Sequence, residues 1–177
     1  APWALMVLAL LLRLYHLDAQ SLWYDEGWSI ELAHESPARV FFRLKDFADP
    51  HPPGYYLLLI FWGHLFGRSV WALRALSALL GALTVGAIYY AGKQLFDRAT
   101  GLLAAVVLTL SSAHWVYSQE MRMYTLLTLC LALLLELFHR YGFRREGWSW
   151  RHWLALVGLE ALAVYTHCFA VFARAAL

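Results

Sequence analysis

G-Y-Y-L-L-L-I-F-W-G-H-L-F, Gly54 to Phe66, is apolar almost throughout and yet short. A helix needs about 20 such residues to cross a hydrocarbon core of roughly 30 Å. Other apolar segments run from Ala1 to about Tyr15, Val70 to Ala91, Gly101 to Tyr117, Thr125 to Phe138 and Trp153 to Tyr165, and a last one begins at Cys168. These are read as membrane crossings. Whether Gly54–Phe66 crosses or lies along the interface decides the sidedness of everything that follows it.

Positive charge settles the choice, because short basic loops stay cytoplasmic. The linker Lys93–Arg98 is mildly basic, and the linker from His139 to His152 carries Arg140, Arg144, Arg145 and Arg151 against Glu146 alone. With Gly54–Phe66 interfacial, both linkers fall inside; with Gly54–Phe66 crossing, both fall outside. The interfacial reading is adopted. It makes residues 16–66 an extracytoplasmic loop with interfacial helices. In that loop Ser21 is a candidate N-cap with Asp25 and Glu26 in the early turns, and Ser36-Pro37 fits the start of a second short helix. The expected architecture is all-α, a polytopic membrane helix bundle forming a single transmembrane domain over residues 1–177.

Composition agrees. The chain has 177 residues, of which 62% are hydrophobic and only 15% charged, more apolar surface than a soluble core of this size buries. The net charge of +2 is uninformative beside its placement. Cys130 and Cys168 are read as packing residues rather than as a disulfide or metal ligands. The chain opens Ala-Pro-Trp and stops in mid-segment, so the expectation is the N-terminal portion of a longer protein. There is no phosphate loop, dinucleotide fingerprint, zinc spacing or nucleophile elbow. The basic residues flank the membrane, which argues against nucleic acid. A transporter is disfavoured because the inner-leaflet helices lack midplane charges and interrupted spans.

On this topology Asp25–Glu26, His51-Pro-Pro53, Gln119–Tyr124 and His167 collect on the extracytoplasmic side. Polar groups at a membrane edge are costly unless used or paired. A carboxylate screened by Trp23, Tyr24 and Trp28 suits a general base for an acceptor hydroxyl or amine, and equally a hard ligand for a divalent cation. The bland alternative is helix N-terminal charge with a surface ion pair to Arg39 or Arg43. Asp49-Pro50 and the prolines after His51 make a stiff turn that fixes the imidazole. Arg122 offers a planar donor fork for a lipid phosphate, with Tyr124 adding a hydroxyl and Glu120 beside it; the alternative is an arginine snorkelling to headgroups. Arg74 is placed to pair with Asp25 or Glu26 or to share the phosphate. His167 could join Asp25 and Glu26 at a divalent metal, although a structural hydrogen bond fits it better.

The ordered set Leu14–Asp18, Leu22-Trp-Tyr-Asp-Glu-Gly27, His51-Pro-Pro-Gly-Tyr-Tyr56, Arg74–Thr84, Tyr117-Ser-Gln-Glu-Met-Arg-Met-Tyr124 and Tyr165-Thr-His-Cys-Phe169 resembles the start of a GT-C-type membrane glycosyltransferase. It is similar to bacterial relatives of the protein O-mannosyltransferases and of the lipid A aminoarabinose transferase. The resemblance implies inverting transfer of a sugar from a polyprenyl-phosphate monosaccharide to an acceptor outside a bacterial inner membrane. Position by position, it implies Asp25, with Glu26 beside it, as the essential acid, and Arg74 and Arg122 as the arginines toward the lipid phosphate. Metal use varies among such enzymes and stays open. His-Pro-Pro-Gly replaces the commoner His-Pro-Pro-Leu. A non-catalytic polyprenyl-phosphate-binding subunit or truncated scaffold is the alternative, using Arg74 and Arg122 without a base.

Overall fold

A computed structural model describes residues 2–46, 51–143, 147 and 149–172. Asp49-Pro50, the Arg144, Arg145 and Glu146 of the basic linker, and residues 173–177 lie outside the described residues. The described residues are helical and contain no strand, so the all-α membrane bundle is what the chain forms.

The axis of the bundle is α5, Val70–Leu95, opened by Ser69, whose hydroxyl accepts from the Ala72 N–H at 3.2 Å. Its 26 residues extend about 39 Å, and most of them are buried because helices pack on nearly every side. Helix α1, Pro2–Leu14, runs antiparallel to it, with Met6 against Gly86 and Arg13 against Gly81. Helix α6, Arg98–Leu110, starts at Asp97, whose carboxylate caps the Thr100 N–H at 2.7 Å. A Cβ on Gly92 would stand 2.9 Å from the Gly101 Cα, so two glycines let α5 and α6 meet backbone to backbone. Helix α8, Tyr124–Phe138, runs parallel to α5 and ends in a π turn, His139–Phe143; α9, Trp150–Thr166, returns along it.

Three expectations are corrected. The apolar run Gly101–Tyr117 is not one helix: α6 stops at Leu110, and α7, Ser112–Ser118, leaves at 62°. Ser111 is extended there, and its hydroxyl caps the His114 N–H at 3.4 Å. Arg13, fully buried, donates to the Leu108 carbonyl at the break (3.3 Å), which also accepts the Ser111 N–H, and to Ser118 Oγ (3.2 Å). An interrupted apolar segment and a charge buried between helices are thus both present. Second, not every segment read as a crossing forms a helix of spanning length. Two helices among the described residues, Val70–Leu95 and Tyr124–Tyr141, are long and apolar enough to cross, three if the bent pair counts as one. Third, Ser21 does not cap α2: that helix runs Tyr24–His34 from an extended Trp23, with no side-chain cap. Ser36 does start α3, Pro37–Asp46, its hydroxyl accepting from the Arg39 N–H at 3.4 Å.

The decisive stretch forms α4, Gly54–Phe66. Tyr55 Oη lies 2.9 Å from Ser77 Oγ, and Trp62 Nε1 donates to the Ala72 carbonyl at 2.7 Å. As α4 advances, its partners on α5 recede toward Val70. Helix α4 thus packs on the first third of α5, from Ser77 to Ala72.

Candidate functional site

Four segments meet at the N-terminal end of α5. After α1 the chain turns at His16, the one non-glycine residue with a left-handed backbone (φ 52°) among the described residues, which brings the Leu17 and Gln20 carbonyls over Arg74. Arg74 Nη1 donates to both, at 2.8 and 3.1 Å. Its Nε and Nη2 form a fork on Glu26, at 2.9 Å to Oε1 and 2.6 Å to Oε2. Oε1 also accepts the Met121 N–H at 3.1 Å. The side chains of this pair are 1% and 0% exposed. Two charges survive such burial only when paired and hydrogen-bonded on all sides, and here one ion pair ties the loop, α2, α5 and the turn before α8 together.

Asp25, one residue earlier, faces the other way. Its Oδ2 lies 3.5 Å from Arg122 Nη2, and its side chain is 36% exposed against 3% for Arg122. Arg122 Nη1 donates to Tyr56 Oη at 3.3 Å, Nη2 lies 3.5 Å from His51 Nε2, and Nε has no hydrogen-bond partner. Burial works against the guanidinium charge, but Tyr56, Asp25 and Tyr124 more than offset it and hold its pKa above the ordinary value. The His51 and His167 rings meet edge to face at 5.5 Å, and Tyr124 stacks obliquely between Tyr117 (4.8 Å) and His167 (6.3 Å). His167 Nδ1 accepts the Phe169 N–H at 3.1 Å. Burial first, then His51 and Arg122, lowers its pKa, which favours the neutral imidazole. Glu120 carries a buried oxygen without a partner, and burial followed by the nearby Glu26 raises its carboxyl pKa.

The expected residues are therefore brought together, but in two layers. Asp25, Arg122, His51, Tyr124 and His167 form one cluster, while Glu26 and Arg74 lie behind it. Four of the five N–H groups of Arg74 are committed, and the Glu26 oxygens are enclosed with it. That geometry leaves neither group facing a ligand. The surface ion pair of Asp25–Glu26 with Arg39 or Arg43 does not form; those arginines take Glu35 and Glu31 instead. Nor does the set Asp25, Glu26 and His167 fit a divalent ion. Among the described residues no three His, Cys, Asp or Glu side chains come together for one, Glu26 is enclosed by Arg74, and Asp25 faces a guanidinium.

Sequence reading gave no role to Tyr56, which holds Arg122, nor to Arg13 at the helix break. Arg13 carried the stronger signal, since an arginine inside an apolar helix is costly without partners. Nothing local distinguishes Tyr56 from Tyr55.

Comparison with known proteins comes from sequence; no solved structure matches the chain. Protein O-mannosyl-transferase 1 of Rattus norvegicus is 30% identical over 89% of the chain. The chain spans only 24% of that relative's length. The sequence model of the dolichyl-phosphate-mannose-protein mannosyltransferase family matches residues 50–177. That stretch holds His51, Arg74, Arg122, Tyr124 and His167, whereas α2 with Asp25 and Glu26 precedes it. On this match, over most of its length, the chain belongs to the dolichyl-phosphate-mannose-protein mannosyltransferase family.

Proposed function

We propose that this segment carries the donor-phosphate and base half of an enzyme that transfers a mannose-type sugar from a polyprenyl phosphate to an acceptor outside the cytoplasm. The observation that carries the reading is the loose pair of Asp25 and Arg122. At 3.5 Å it is longer than a charge-assisted hydrogen bond of about 2.8 Å, and its acidic member is the open one. A lipid phosphate arriving at Arg122 replaces Asp25 as the partner of the guanidinium, aided by the unpartnered Nε. Asp25 is then released to the acceptor.

The reaction follows as an inverting displacement. Asp25 takes the proton of the acceptor hydroxyl as its oxygen bonds to the anomeric carbon. The bond from that carbon to the phosphate oxygen breaks, and its electron pair leaves with the polyprenyl phosphate. Negative charge growing on the phosphate is met by Arg122, held by Tyr56 and by His51 (Arg122 N–H toward Nε2). Glu26 and Arg74 are positioning residues: their ion pair fixes α2, and with it Asp25, against the turn that carries Arg122.

Asp25→Asn in the full-length protein tests this. The expected result is loss of transfer from a labelled polyprenyl-phosphate mannose by about 100-fold or more, with lipid-phosphate binding retained. Undiminished transfer removes the base assignment, whereas phosphate binding with no transfer by the wild-type protein would leave a non-catalytic phosphate binder.

A further inference from the structure

At the opposite end of the bundle from Asp25 and Arg122, two adjoining cavities form a groove between α1, α5 and α8. The outer one, about 500 Å³, has a mixed lining that includes Lys93, Gln94, Glu136 and Arg140. The next, about 260 Å³, shares Tyr90 and Glu136 with it and continues along apolar residues to Leu83. A separate crevice lies on the α9 side of α8, between Leu137 and Leu159. Helical rise puts Lys93 about 28 Å from Arg74 along α5, which is the thickness of a hydrocarbon core. The same rise puts Leu83 about 15 Å from Lys93, the depth of a single leaflet. The groove thus has a cationic head at the level of one headgroup layer and an apolar channel one acyl chain deep. Arg140 is presented by the π turn that ends α8, a distortion often found at functional positions.

We propose that this groove binds a glycerophospholipid of the leaflet opposite the Asp25–Arg122 site, with its phosphate between Lys93 and Arg140 and one acyl chain running to Leu83. Lys93 and Arg140, beside the carboxylate of Glu136 at the mouth, suit a phosphate-bearing head. The apolar lining from Tyr90 to Leu83, about one acyl chain deep, suits a diacyl lipid. This site is separate from the sugar-donor site and does not rest on the proposed chemistry.

The test uses the full-length protein in nanodiscs, probed with a photoactivatable phosphatidylglycerol and with the matching diacylglycerol. Phosphatidylglycerol should crosslink to peptides covering 83–94 and 129–140 and raise the unfolding temperature; diacylglycerol should do neither. Lys93→Gln with Arg140→Gln should weaken phosphatidylglycerol retention about tenfold or more while Lys93→Arg with Arg140→Lys keeps it, and sugar transfer should survive both. Should the glutamine variant fail to fold, the wild-type crosslinking pattern decides. Equal crosslinking by diacylglycerol, crosslinks confined to other peptides, unchanged retention in the glutamine variant, or displacement of phosphatidylglycerol by polyprenyl phosphate would each overturn the assignment.

Discussion

Asp25 and Glu26 are neighbours with separate tasks, and the difference is one of exposure and partner. Glu26 is enclosed with Arg74, so removing either partner leaves an unpaired buried charge, at a cost of about 3–5 kcal/mol. Arg74→Ala and Glu26→Ala should each lower the unfolding midpoint strongly, and the double variant should recover part of the loss. A double-mutant cycle by thermal denaturation reads this directly; additive losses would show that the pair does not act as a unit. Glu120 supplies a pH test. Its carboxyl pKa is raised in the folded protein, with burial the largest cause, so the folded state favours the protonated form. Stability from that preference is present below the unfolded value near 4.5 and is lost as pH rises through the folded value. Glu120→Gln should therefore match wild type below that pH and become the more stable protein as pH rises toward 7. A gain that instead shrinks with rising pH would reverse the assigned sign.

Among the elements, α4 shows how a short helix can set a site. A Cβ on Gly54 would stand 2.5 Å from the Tyr165 carbonyl oxygen, so this glycine lets the start of α4 rest on the end of α9. That contact is what brings His51 to His167 and to Arg122. The glycine in His-Pro-Pro-Gly is consequently tied to the approach of α9. Gly54→Leu should cost about 1–3 kcal/mol by overpacking and impair donor binding through His51 and Arg122. Thermal denaturation and a donor-binding titration on the same preparation check it, and a variant with wild-type stability would mean the contact is not made.

For the whole molecule the open question is sidedness, and the two cysteines provide a reporter. Cys168 follows α9 at the site end and is exposed, whereas Cys130 is buried in α8. With the site on the extracytoplasmic side, a membrane-impermeant thiol reagent added to intact cells should label Cys168 and spare Cys130. Labelling of Cys168 only after the membrane is opened would invert the topology and move the site to the cytoplasm.

The helices and the crowding of polar residues at one end were legible in the sequence because apolar runs, proline and serine starts and the placement of arginines are local signals. The helix break at Ser111 was not legible, since the run Gly101–Tyr117 stays apolar through it; at the break Arg13, about a hundred residues away in the chain, donates to the Leu108 carbonyl. The sequence also left open which carboxylate would face which arginine. Adjacent positions on a helix point about 100° apart, so the side that α2 turns toward α5 decides that Glu26 meets Arg74 and Asp25 meets Arg122. The sequence by itself determined that the chain forms a membrane helix bundle and which residue types gather at one end. Only the tertiary structure decided which of them are sealed in a buried clamp and which stay open to a ligand, because that choice depends on burial and on the directions of side chains from four separate segments.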